Sequence, residues 1–64
     1  MNTFDVKIKE IREKMGWAQE DLAREIGVSL STVHRWEKYG VKPSRLARRE
    51  LRRLFKEAGI DENA

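Results

Sequence analysis

Cysteine is absent from this chain of 64 residues, which excludes disulfide bridges and thiolate-based zinc sites together. A single histidine cannot build a metal cluster either. Long apolar runs are missing: none approaches the roughly 20 residues of a membrane span, and residues 1–15 carry too many charges for a signal peptide. Glycine is sparse and nowhere forms a phosphate-binding loop. No nucleophile stands beside a base in a readable motif, and so short a chain offers no deep pocket. An enzyme is therefore not expected, nor a cofactor, nor a small-molecule substrate. No internal repeat, low-complexity tract or linker divides the chain. The expectation is one cytoplasmic domain over 1–64, near the size at which a single core is only just sufficient.

What remains is charge and helical pattern. Charged residues make up 39% of the chain, with a net charge of +3. Residues 1–41 balance seven basic against seven acidic side chains, whereas 42–64 hold seven basic against four acidic. The excess lies wholly in the last third. Such asymmetry suits a polyanionic partner, because side chains that neutralise phosphates release counterions. It equally suits the solvated outside of a helix.

The stretch 19–36 organises the rest. Leu22, Ala23 and Ile26 fall at helical spacing, which predicts a short helix over 19–26 with one buried face. Gly27 stops it, since a glycine there can take the left-handed conformation of a helix end. Ser29 offers a hydroxyl to cap a second helix, Leu30 to about Lys38. A three-residue connection forces the two helices to cross steeply, with Ala23 allowing close approach and Val28, Val33 and Trp36 filling the wedge.

The pattern Gln19, Ala23, Gly27, Val33, then Arg35-Trp36-Glu37, resembles the helix-turn-helix of the phage repressor and Cro family of bacterial regulators, the lambda-repressor-like domains. The similarity runs from about Ile8 to Pro43. It implies an all-α bundle of four helices, with room for a fifth, that binds double-stranded DNA with the helix 30–38 in the major groove. The N-terminal half of such a helix approaches base edges most closely. That half offers Leu30, Ser31, Thr32 and, one turn on, Arg35. A guanidinium can donate two hydrogen bonds to O6 and N7 of one guanine, so Arg35 is the principal candidate for base reading. Its alternatives are a phosphate contact or an internal ion pair. Ser31 and Thr32 suit several bases, and Leu30 either packs on a thymine methyl or fills the edge of the core.

The resemblance also assigns backbone contacts. Gln19 matches the family glutamine that touches a DNA phosphate, and the loop 38–44 matches the one that lies along the sugar-phosphate backbone. Lys38, Tyr39, Lys42 and Arg45 are the phosphate-binding candidates there, with Ser29 at the start of the reading helix. These contacts orient without reading sequence. A carboxylate at Glu37 would repel phosphate if free; the family pairs its counterpart with an arginine of the first helix, here Arg12.

Elsewhere the pattern is structural. Asn2 and Thr3 can cap a first helix whose stripe is Phe4, Ile8, Ile11 and Met15; Val6 lies off it, Lys14 suits the helix dipole and Gly16 ends it. Trp17 is expected to lid the core. Ala18 departs from the family, which has a serine or threonine cap there, so the next helix loses about 1 kcal/mol of stabilisation, partly offset by Asp21. His34 is expected on a flank. Ser44 caps a last helix, Arg45 to about Ala58, whose apolar stripe is Ala47, Leu51, Leu54, Phe55 and Ala58. Arg45, Arg49, Arg52 and Lys56 line its opposite side. The sequence runs out at Asp61-Glu62-Asn63-Ala64, so no counterpart is expected for the further helix from which the family often builds its dimer.

Two functions follow as expectations. The first is sequence-specific DNA binding by a small transcriptional regulator, a homodimer on a palindromic site. The second is a protein-interaction module on the same fold, such as an antitoxin or adaptor, that leaves Arg35 unused. A DNA-binding piece of a longer regulator is a third possibility.

Overall fold

The computed structural model describes residues 3–60; Asn2, expected as a cap, and the polar tail 61–64 lie outside them. Apolar side chains at three- and four-residue spacing give four helices, α1 (Thr3–Met15), α2 (Gln19–Ile26), α3 (Leu30–Tyr39) and α4 (Arg45–Glu57). The fold is the all-α bundle read from the sequence, with four helices and no fifth among the described residues. Within it α3 packs against α1 and α2, and α4 against both as well. Its extents are 26 × 24 × 19 Å.

The core gathers Ile8 and Ile11 from α1, Leu22 and Ala23 from α2, and Val33 and Trp36 from α3. From α4 it takes Ala47, Leu51, Leu54 and Phe55. Phe4 packs on Phe55, ring centroids 5.9 Å apart. Each large side chain so buried is worth about 1.5–3 kcal/mol, a large share of the few kcal/mol that hold so small a domain together.

Local chemistry sets the helix ends. After Gly16, Gly27 and Gly59, all with positive φ, the next N–H reaches back five residues. Trp17 thus bonds to Arg12 O (2.8 Å), Val28 to Ala23 O (2.9 Å) and Ile60 to Phe55 O (2.8 Å). This ending turns an apolar residue back toward the helix it has just left. Trp17 and Val28 accordingly pack on the core, and Ile60 is buried within it. At the start of α2, Ala18 makes no side-chain cap. The Asp21 carboxylate substitutes from the other side by accepting the Ala18 N–H at 2.9 Å.

Several local expectations need correction. Met15 is 46% exposed, because α1 ends there without a neighbour over the last position of its stripe. Thr3 is the first residue of α1 rather than a residue flanking it. The third helix runs through Tyr39 to the left-handed Gly40, so Tyr39 is helical and the loop begins two residues later than expected. Lys14 does lie in the last turn of α1, as expected, and its ammonium also donates to the Ala58 carbonyl beyond α4, at 2.8 Å.

Candidate nucleic-acid interface

The turn between α2 and α3 fixes how α3 is presented. Val33 and Trp36 face the core, so Leu30, Ser31, His34 and Arg35 fall on the outer side. Leu30 is 49% exposed and lies outside the core cluster, which removes the core-edge alternative for it.

Hydroxyls join the start of this helix into a chain. Ser29 Oγ accepts the Thr32 N–H at 3.2 Å, capping α3, and lies 2.8 Å from Thr32 Oγ1 and 3.2 Å from Ser31 Oγ. Thr32 Oγ1 in turn accepts from Arg35 Nη2 at 3.4 Å. The guanidinium is therefore drawn back over the first turn of α3, while most of its five N–H donors stay unspent. That is the geometry a base-reading arginine needs: oriented, exposed and still rich in donors.

A second group forms at the other end of α3. The Lys38 ammonium sits 5.5 Å from the centre of the Tyr39 ring, and His34 meets the same ring edge-on at 6.3 Å. All three side chains are exposed. The loop 40–44 follows, with Pro43 buried and Lys42 exposed. Ser44 Oγ accepts the Ala47 N–H at 3.2 Å and starts α4, whose first residue is the exposed Arg45. Gln19, half-buried, opens α2. Of the phosphate-binding candidates, Ser29 belongs to the hydroxyl chain and Lys38 and Tyr39 to the ring group. Gln19, Lys42 and Arg45 join neither.

Behind this surface, Arg12 and Glu37 meet in a two-pronged pair, Nε to Oε2 at 2.7 Å and Nη2 to Oε1 at 2.8 Å. The remaining arm of Arg12 donates to Trp17 O at 3.2 Å. The hydrogen bond to Glu37 raises the Arg12 pKa above its ordinary value, against the opposing effect of burial. The Glu37 carboxylate is thus consumed internally rather than presented to a polyanion.

A buried lysine and one buried nitrogen of a half-buried arginine have no counterpart in the sequence reading. Lys7 is buried with its ammonium lacking a hydrogen-bond partner, and Arg48 Nε is likewise unpartnered. For Lys7 a signal was available: it lies three residues after Phe4 and four before Ile11, on the same face as the apolar stripe. The outer side of α4 carries Arg45, Arg49, Arg52 and Lys56, all exposed. Arg53 is tied to Glu50 (3.2 Å) and Glu57 (3.1 Å), whose hydrogen bonds raise its pKa.

Among the described residues, no group of three or more histidine, cysteine or acidic side chains is placed to hold a metal ion. No helix there is long and apolar enough to cross a membrane. A family model described as helix-turn-helix matches residues 8–46, which spans α1 from Ile8 onward, all of α2 and α3 with the turn between them, the loop 40–44 and the first two residues of α4. Neither the curated proteins nor the solved structures contain a significant match to the chain.

Proposed function

Since this chain belongs to the helix-turn-helix family of lambda repressor- and Cro-like proteins, we propose that it reads double-stranded DNA by sequence, with α3 in the major groove. DNA binding of the regulator type is the general activity of the family, which is not one of enzymes. The observation that carries the finer reading is the Arg35 guanidinium, held over the first turn of α3 by Thr32 beside exposed Ser31 and Leu30. Arg35 takes a guanine edge; Ser31, Thr32 and Leu30 supply adjacent base contacts. Gln19 and Ser29 on one side, with Lys38, Tyr39, Lys42 and Arg45 on the other, hold phosphates and set the register.

One such domain buries a small interface. A homodimer on inverted half-sites about one helical turn apart supplies the rest of the affinity. Selection of bound duplexes from a randomised pool at near-physiological salt tests this. An enriched inverted repeat is expected, and failure to enrich any sequence contradicts it. In that event the exposed apolar side chains away from α3, Leu46 and Val6, favour the protein-interaction reading.

A further inference from the structure

Leu30 is the first residue of α3, yet it is 49% exposed and stands outside the core cluster. Its exposed neighbours on the same helix, Ser31, His34, Arg35 and Lys38, are all polar. A leucine here neither fills the core nor caps the helix, since Ser29 does the capping. The hydroxyls of the same turn are engaged with one another: Ser29 Oγ lies 3.2 Å from Ser31 Oγ and 2.8 Å from Thr32 Oγ1, which also accepts from Arg35. Leu30 has no polar atom with which to join them. What would take this side chain out of water must therefore be apolar.

In a major groove the edges of the bases present mostly donors and acceptors. Covering one of those with a leucine strips it of water and gives nothing in return. The exception is the methyl group at C5 of thymine, and 5-methylcytosine carries the same group on the same carbon. A helix rises about 1.5 Å per residue, which sets Leu30 about 7.5 Å from Arg35 along the axis of α3. With bases stacked about 3.4 Å apart, that separation corresponds to about two base pairs.

We propose, resting on the placement of α3 in a major groove, that Leu30 reads the 5-methyl group of a pyrimidine about two base pairs from the guanine taken by Arg35. The chain then responds to the methyl itself, whether thymine or 5-methylcytosine carries it. Binding thereby becomes sensitive to cytosine methylation at that one position. Loss of a single buried methyl weakens binding about fourfold.

The test uses the full chain and the duplex selected from the randomised pool. Each thymine in turn is replaced by deoxyuridine, which removes the methyl and keeps the pairing. One replacement, about two base pairs from the position where Arg35→Ala loses discrimination, is expected to weaken binding about fourfold. Leu30→Ala, its folding verified by circular dichroism, is expected to bind the thymine and deoxyuridine duplexes equally. With cytosine at that position, its 5-methylation is expected to tighten binding of the unaltered chain and to leave Leu30→Ala unmoved. A selected site without thymine in that span overturns the proposal, as does one in which no replacement matters. A penalty that persists in Leu30→Ala comes from the duplex rather than the leucine, and overturns it as well. Each of these results leaves the Arg35 reading standing. If no duplex is enriched, the DNA-reading proposal fails and this one with it.

Discussion

Arg12 and Glu37, 25 residues apart in the chain, form a paired hydrogen bond at 2.7 and 2.8 Å that ties α1 to α3. The carboxylate is nearly sealed from solvent, its side chain 3% exposed against 23% for the arginine. The pair does two things at once: it clamps the proposed reading helix to the bundle and keeps a carboxylate buried and neutralised behind the outer side of α3.

Breaking that pair from the arginine side is expected to cost most. Arg12→Ala leaves a buried carboxylate without its partner, a loss of about 3 kcal/mol, whereas Arg12→Met with Glu37→Leu removes both charges and costs less. Urea unfolding of the two variants checks the order. If the single and double variants are equally destabilised, the carboxylate is not being held by Arg12.

The missing cap of α2 can be supplied. Ala18 already has the extended backbone of a cap residue, φ −77° and ψ 168°, so a hydroxyl there has an N–H to accept. Ala18→Ser is expected to stabilise the protein by about 1 kcal/mol, a rise in melting temperature of roughly 4–8 °C for a domain of this size. Thermal unfolding followed by circular dichroism reads the shift directly; an unchanged melting temperature would mean that Asp21 already does the whole task.

Gly27 tests the turn itself. Its φ is +86°, and a Cβ built there meets no other atom within 4 Å, so Gly27→Ala carries backbone strain alone. The expected loss is about 1–2 kcal/mol. A substitution tolerated at no cost would show that the turn adjusts its backbone freely.

Lys42 is assigned to phosphate. Lys42→Ala is expected to weaken binding to every DNA sequence alike and to lower the slope of log affinity against log salt by about one. A change confined to one base pair would make it a base reader instead.

Much of the fold was legible because the signals are local. The limits of α2, the glycine stop at Gly27 and the Ser29 cap all act within a few residues, and the apolar spacing names most of the core. Ile60 was missed because it lies past the end of α4 and joins the core only through the turn at Gly59. The glycine-then-apolar pair was nonetheless visible in the sequence. Met15 was misplaced because helical spacing says which side a residue faces, not whether another helix covers it. In the site, nothing in residue spacing brings Arg12 to Glu37; only the resemblance to a known family suggested it. The Ser29–Thr32–Arg35 chain depends on side-chain orientation, which no sequence pattern carries.

The most direct test of the account is the affinity of Arg35→Ala for a selected DNA site and for that site altered one base pair at a time. If Arg35 reads a guanine, the variant loses about 1–3 kcal/mol on the selected site and becomes indifferent to the base at one position, with discrimination elsewhere retained. An equal loss on every sequence, with all base preferences intact, would make Arg35 a phosphate contact and contradict the central claim.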